Sequence, residues 1–106
     1  MYTLIETTTD KKAIADIISD KILSNNLSPC IQIDQNTLTK YKWNNKIDDA
    51  IEFRLSIKTI DRYTDKVISI INDNHNYEVP EIIKKDFNIL SEKYEKWFND
   101  NIKGEI

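Results

Sequence analysis

The 106-residue chain is the size of one ordinary domain, and its composition excludes several classes of protein. It has 15 basic and 18 acidic residues, a net charge of -3, so it lacks the basic surplus that general nucleic-acid binders need. Its single cysteine excludes an intrachain disulfide, and residues 1–10 lack the basic start and apolar run of a signal peptide. No stretch approaches the ~20 apolar residues of a membrane helix. We therefore expect one domain over residues 1–106, in the cytoplasm, with no nucleic-acid and no membrane partner.

The first 26 residues predict a strand followed by a helix. Residues 2–7 are β-branched and aromatic, which favours a strand. Thr9 or Asp10 can cap the next helix, and isoleucines recur at helical spacing within residues 11–25. The asparagines at positions 25–26 can end this helix in the left-handed conformation that glycine usually supplies.

Residues 29–59 predict a long β-hairpin. Pro29 can begin its first strand, where a missing N–H is tolerated, and residues 37–43 alternate with a period of two. Asn44 and Asn45 can supply the positive φ of a tight turn. Four apolar residues of the return strand share one face: Ile51, Phe53, Leu55 and Ile57.

The remainder of the chain predicts a helix, a short strand and a final helix. Asp61 can cap the second helix, and residues 75–79 form a connector after it. Pro80 is expected to open a strand that runs to about Phe87, and Ser91 to cap the last helix. The order β-α-β-β-α-β predicts an α+β fold of the ferredoxin-like class. This is an antiparallel sheet with helices on one face, here with a C-terminal helix added.

Six short motifs follow one another along the chain. They are Thr7-Thr8-Thr9-Asp10, Leu27-Ser28-Pro29-Cys30, Tyr41-Lys42-Trp43, Lys58-Thr59, His75-Asn76-Tyr77-Glu78-Val79-Pro80-Glu81 and Tyr94-Glu95-Lys96-Trp97. In these motifs, and over nearly its whole length, the chain resembles the CutA divalent-cation tolerance family. The resemblance implies a homotrimer of ferredoxin-like subunits related to the PII signalling proteins, with hairpin strands pairing between subunits. Pairing would also cover the exposed edge of a long hairpin.

The resemblance further implies a role in the response to metal ions. Copper(II) ligation proposed for the family uses a cysteine at the end of the first strand and two adjacent histidines. The matching positions here are Glu6, Asn74 and His75. Imidazole suits copper and zinc, so His75, with Glu6 as an oxygen donor, is a candidate weak site for copper(II) or another divalent cation. The alternative, which we favour, is a structural hydrogen bond from His75 at the start of the connector.

A second candidate site is an aromatic cleft between subunits. Its candidate residues are Tyr41, Trp43, Glu52, Lys58, Tyr77, Glu78 and Trp97. Lys58 could bind a small anionic ligand there, as in a PII-like sensor. The alternatives are a plain subunit interface for the aromatic residues and an exposed ion pair for Lys58.

Two further interpretations concern reactivity and partners. Cys30 fits a buried small hydrophobe better than a reactive thiol. The only glycine is Gly104, so there is no glycine-rich phosphate loop, and no serine–histidine or cysteine–histidine spacing indicates a catalytic set. We therefore expect a protein that is not an enzyme, and a trimeric scaffold for partner proteins is a third reading of its function.

Overall fold

A four-stranded antiparallel sheet organises the fold, seen in a computed structural model that describes residues 1–104. The elements, in chain order, are β1 (Tyr2–Thr9), α1 (Lys12–Ser24), β2 (Cys30–Trp43), β3 (Lys46–Ile60), a short 3-10 turn (Asp61–Tyr63), α2 (Thr64–Asn74), β4 (Ile83–Phe87) and α3 (Glu92–Asp100). The strands lie in the order β2-β3-β1-β4, so the predicted ferredoxin-like α+β fold is confirmed. None of the helices within residues 1–104 is long and apolar enough to cross a membrane.

Asparagine makes the turns that glycine makes in most chains. Asn26 has a φ of 57° at the end of α1, and Asn44 and Asn45 have φ values of 51° and 63° in the β2–β3 turn. Asparagine enters this left-handed region at low cost because its short polar side chain can bond locally. The Ser91 hydroxyl accepts a hydrogen bond from the Tyr94 N–H at 3.2 Å. The predicted turns and the predicted cap of α3 are therefore confirmed.

The predicted caps of the other two helices are wrong. Neither Thr9 nor Asp10 caps α1, because the residue at the N-cap position is Lys11. Thr9 Oγ1 accepts a hydrogen bond from the Lys11 N–H at 3.2 Å, and Asp10 accepts one from the Asn76 side chain at 2.8 Å. Asp61 begins the 3-10 turn and does not cap α2, because its carboxylate accepts a hydrogen bond from the Thr3 hydroxyl and pairs with Lys84 at 3.1 Å. Asp61 therefore ties β1 and β4 together at one end of the sheet.

Strand β4 begins later than the sequence predicts. It starts at Ile83 and not at Pro80, so the connector between α2 and β4 extends over residues 75–82. Pro80 has no N–H to donate to a strand ladder. The carbonyl of Thr8, near the end of β1, forms a hydrogen bond of 2.9 Å with the Nε2 atom of His75. The connector, and not a longer β4, therefore occupies the C-terminal end of β1.

The two faces of the sheet carry different helices. Thr7 Oγ1 lies 3.4 Å from the Nε2 atom of His75, directly after α2, and α1 packs beside α2. Tyr2 donates its hydroxyl to Glu95 at 2.8 Å and lies 3.0 Å from Asn99, both on α3. Successive side chains of a strand point to opposite faces. Because Tyr2 and Thr7 have opposite parity on β1, α3 lies across the sheet from α2.

A bulge interrupts the long hairpin. Asp34 of β2 pairs with Arg54, but the next recorded pair joins Thr37 to Glu52. Strand β2 thus has one residue more than β3 in this interval, and Asn36 within it has a φ of 60°. Such bulges bend the strand and increase its twist.

The core lies where helices cover the sheet. The largest fully buried side chains are Phe98, Ile5, Ile18, Ile22, Leu55, Ile57, Ile71 and Val67. Ile51 shares a face with Leu55, as predicted, but is 56% exposed, because the part of β3 before residue 53 pairs only with β2. Cys30 is only half-buried, and the prediction of a buried residue is wrong, because β2 is an edge strand with a neighbour on one side.

Candidate functional site

A cleft of about 560 Å³ lies between the free end of the β2–β3 hairpin and the connector. Residues two apart on a strand share a face, so each hairpin strand contributes alternate side chains to the cleft. The lining residues are Thr39, Tyr41 and Trp43 from β2, Asp48, Ala50 and Glu52 from β3, Asn76, Tyr77, Glu78, Val79 and Glu81 from the connector, and Thr8 and Asp10 from the end of β1.

Charge in the cleft is all of one sign. Five of the lining residues are carboxylates: Asp10, Asp48, Glu52, Glu78 and Glu81. No lysine or arginine of residues 1–104 lines the cleft. The cleft therefore attracts cations and repels anions.

Glu52 is the most buried of these carboxylates, at 5% exposure. Its Oε2 atom accepts a hydrogen bond of 2.6 Å from the Tyr77 hydroxyl. Its Oε1 atom is also buried and has no hydrogen-bond partner in the described part of the chain. A buried polar atom without a hydrogen-bond partner is costly, so the Oε1 atom of Glu52 is an acceptor open to a donor from outside the described residues.

Burial, and after it the nearby carboxylates, raises the pKa values of two tyrosines in the cleft. Burial raises the pKa of Tyr77, and the hydrogen bond to Glu52 raises it further. Burial also raises the pKa of Tyr41, and the charges of Asp48 and Glu52 add to that effect. Both phenols therefore stay protonated, and Tyr77 remains a hydrogen-bond donor to Glu52.

His75 uses both ring nitrogens within the fold. Its Nδ1 atom accepts the N–H of Tyr77 at 3.0 Å, so the proton lies on Nε2, which donates to the Thr8 carbonyl at 2.9 Å. Burial lowers the pKa of His75 and favours this neutral form. In this arrangement neither nitrogen has a lone pair for a metal, which agrees with the structural alternative for His75.

The two metal candidates lie apart. Glu6 has its carboxylate 3.6 Å from the Nζ atom of Lys85. Its neighbour Thr7 contacts His75, and adjacent residues of a strand point to opposite faces, so Glu6 and His75 lie on different sides of β1. Within residues 1–104, no group of three or more histidine, cysteine, aspartate and glutamate side chains is placed to hold a metal ion.

Two of the predicted cleft residues lie elsewhere in the chain. Lys58 lines a separate groove of about 260 Å³ beside the β4–α3 loop, with its Nζ atom 5.5 Å from the ring centre of Tyr94. Trp97 lies on α3, with its ring 5.5 Å from that of Tyr94. The other five, Tyr41, Trp43, Glu52, Tyr77 and Glu78, line the cleft together.

Sequence reasoning did not select two acidic residues of the cleft, Asp10 and Asp48. Asp48 could have been found from the sequence, because it shares the parity of Glu52 on β3 and pairs with Tyr41 across the hairpin. Asp10 lies directly after β1, where no periodicity indicates the direction of a side chain. The fifth carboxylate, Glu81, belongs to the same connector motif as Glu78.

Comparison with known proteins places this fold in a family. Residues 3–101 match the pattern of the family described as "CutA1 divalent ion tolerance protein". The chain belongs to that family. The family membership predicted from the six sequence motifs is confirmed.

Named CutA relatives match most of this chain. The "Protein CutA homolog" of Danio rerio is 32% identical over 81 residues, which are 76% of this chain and 54% of that protein. The "Divalent-cation tolerance protein CutA" of Salmonella newport is 22% identical over 96 residues, 91% of this chain and 84% of that protein. The chain spans about half the length of the curated plant and fish CutA relatives it matches (54%, 48% and 55%).

Solved CutA1 structures share the fold of the whole chain. CutA1 from the psychrotrophic bacterium Shewanella sp. SIB1 has a TM-score of 0.90 at 29% identity and covers 97% of this chain and 96% of that chain. CutA1 from Ehrlichia chaffeensis has a TM-score of 0.85 at 30% identity, with 93% and 92% covered.

Proposed function

We propose that this chain is the subunit of a homotrimeric, non-enzymatic protein of the cytoplasm that takes part in tolerance of divalent cations and binds them weakly in its acidic cleft. The observation that carries the cation-binding role is the charge of the cleft, with five carboxylates and no basic residue of residues 1–104 among its lining. Carboxylate oxygens are the donors that hard divalent cations prefer. The carboxylates do not converge as a tight ligand set, so the expected binding is loose.

The trimer is supported by the outer face of the hairpin. Leu38, Ile47 and Ile51 share this face at 57%, 79% and 56% exposure, and the strand register places Leu38 directly opposite Ile51. Contiguous exposed apolar side chains on a monomer indicate an interaction surface. The family resemblance implies that the covering partner is a second copy of the chain.

The trimer is tested by the molecular mass in solution. Light scattering should give about three subunits for the wild type, and Ile51→Lys should shift the population to smaller species, because it places a charge in the interface. Glu92→Lys, an exposed change on α3, is the control and should leave the mass unchanged. A monomeric wild type would overturn the assembly.

The cation site is tested by paramagnetic broadening of amide signals with Mn²⁺. Broadening should centre on the cleft, and Asp48→Asn with Glu81→Gln should reduce it, because each removes one carboxylate from the lining. His75→Gln should leave it unchanged, since His75 has both nitrogens engaged. Loss of binding in His75→Gln alone, with copper(II) as the preferred ion, would favour the histidine site.

A second candidate function, the binding of a small anionic ligand, has one observation in its favour. Lys58 lies in the β4–α3 groove beside Ser91 and Tyr94, and its nearest recorded polar contact is the Tyr94 hydroxyl at 3.4 Å, not a carboxylate. A lysine in that setting can bind a carboxylate or a phosphate by donating hydrogen bonds to it. A thermal-shift screen of organic anions tests this, because a ligand of the folded state raises the midpoint. Lys58→Met should abolish any shift.

A further inference from the structure

The aromatic side chains of the cleft favour organic cations over inorganic ones. Tyr41, Trp43 and Tyr77 line the same space as the five carboxylates. Aromatic faces attract organic ammonium groups, and the methylene carbons next to such a group can pack against the ring. A small divalent ion keeps much of its water shell and gains little from three rings.

Glu52 supplies the second observation. Its Oε1 atom is a charged acceptor without a donor, in a side chain that is 5% exposed and lines the cleft. No lysine or arginine within residues 1–104 lines the cleft to supply that donor. The terminal torsion of a glutamate is broad and soft, so a small rotation presents this oxygen to a bound group. The missing donor therefore comes from outside these residues, and a bound ligand can supply it.

The size of the cleft and the spread of its charges narrow the ligand class. A volume of about 560 Å³ lies within the range of small-molecule sites, roughly 300–1,000 Å³. The carboxylates come from three separate segments: β3, the connector and the end of β1. A ligand with two or more separated positive charges and an apolar spacer matches this layout better than a compact ion.

We infer that the cleft binds an aliphatic di- or polyamine, with one primary ammonium donating to Glu52 Oε1 and the methylene chain lying against Tyr41 and Trp43. A primary ammonium carries three donors, so it can bond Glu52 and a second carboxylate together. The remaining ammonium groups lie near Asp48 and Glu81 at the rim. The inference rests on the cation-attracting cleft of the proposed function and adds the ligand class.

The test is calorimetric titration of the full chain with 1,4-diaminobutane and with spermidine, at constant ionic strength. Both should bind, and 1-butanol, which has the carbon chain without the charge, should not. Glu52→Gln should weaken diamine binding roughly tenfold to hundredfold, the range for losing a hydrogen bond to a charged group. Glu92→Gln removes the same charge from an exposed position on α3 and should change the affinity less than about twofold.

A second variant distinguishes specific binding of the amine from non-specific electrostatic attraction of cations to the cleft. Trp43→Leu should weaken diamine binding about threefold to tenfold through the lost cation–π contact, yet leave Mn²⁺ broadening of the cleft unchanged. This variant also keeps the test valid if Glu52→Gln fails to fold. Absence of diamine binding by a wild type that still binds Mn²⁺ would overturn the inference and leave the proposed function standing. Equal effects of Trp43→Leu on both cations would overturn it as well.

Discussion

Replacement of Tyr77 by phenylalanine removes one oxygen atom and tests how the connector is held over the cleft. The Tyr77 hydroxyl donates a hydrogen bond of 2.6 Å to Glu52 Oε2, and Glu52 is 5% exposed. Since Glu52 Oε1 already lacks a partner, the change leaves a buried carboxylate with no recorded partner on either oxygen. Within residues 1–104, no other hydrogen bond joins the connector to β3.

The size of the effect follows from the charge of the acceptor. Hydrogen bonds to charged groups contribute about 1.5–3 kcal/mol to the free energy of unfolding, and an abandoned buried partner adds its own desolvation cost. We therefore expect Tyr77→Phe to lower the free energy of unfolding by about 2–3 kcal/mol. This is a large fraction of the 5–15 kcal/mol typical of a whole domain.

Urea unfolding at fixed subunit concentration measures the change, followed by tryptophan fluorescence and by circular dichroism. Tyr41→Phe is the matched control, because Tyr41 lines the same cleft but is 39% exposed. It should change stability by less than about 0.5 kcal/mol, as surface substitutions do.

A double-mutant cycle isolates the pair. In a Glu52→Leu background the buried charge is gone, so Tyr77→Phe should cost less than about 0.5 kcal/mol, giving a coupling energy above about 1.5 kcal/mol. If Tyr77→Phe is as neutral as Tyr41→Phe, or if the cost is the same in both backgrounds, then the hydrogen bond does not hold the connector.

Three other predictions concern the fold around the site. Phe98 is fully buried against the rings of Tyr2 and Phe87, so Phe98→Ala should lower the free energy of unfolding by about 3–5 kcal/mol in urea titration; a loss below about 1 kcal/mol would mean that α3 is not anchored there. The Thr3 hydroxyl, followed by Lys84, holds the pKa of Asp61 at about 2, below its ordinary 3.8. Its stabilisation is therefore present above pH 3.8 and lost as the pH falls towards 2, and Asp61→Asn should flatten that part of the stability profile. Burial holds the pKa of His75 below its ordinary 6.5, so the unfolded chain binds the extra proton and stability should fall as the pH drops below 6.5; His75→Gln should remove that loss, and an unchanged slope would refute the neutral histidine.

The parts of the fold that the sequence predicted are those set by local periodicity and local φ. The isoleucines of α1, the alternation along β2 and β3, and the paired asparagines at positions 44 and 45 each act within a few residues. The start of β4 and the role of Asp61 were missed because both depend on partners far along the chain. Pro80 is displaced from β4 by the connector, and Asp61 turns away from α2 to the hydroxyl of Thr3.

For the candidate site, too, the sequence predicted what local patterns determine. The motifs identified five residues of the cleft, Tyr41, Trp43, Glu52, Tyr77 and Glu78, because they lie in patterned strands or in the connector motif. They also suggested a metal site at His75 and Glu6 and an anion site at Lys58. The hydrogen bonds of the His75 ring and the charges around Lys58 depend on the three-dimensional structure, so the spacing of residues along the sequence could not predict them.

The bulge in β2 lets residues of the same parity face opposite sides of the hairpin. Before it, Ile33 lies opposite Leu55, on the face that carries the core; after it, Tyr41 lies opposite Asp48, on the other face. Deleting one residue at Gln35 or Asn36 would leave equal numbers of residues between the two pairs, so Asp34–Arg54 and Thr37–Glu52 would both persist without the bulge. Tyr41 and Trp43 would keep their face, but β2 would lose the bend and the extra twist that a bulge provides. The bulge therefore lets isoleucines at the start of β2 face the core and aromatic residues near its end face the cleft, although both sets carry odd numbers.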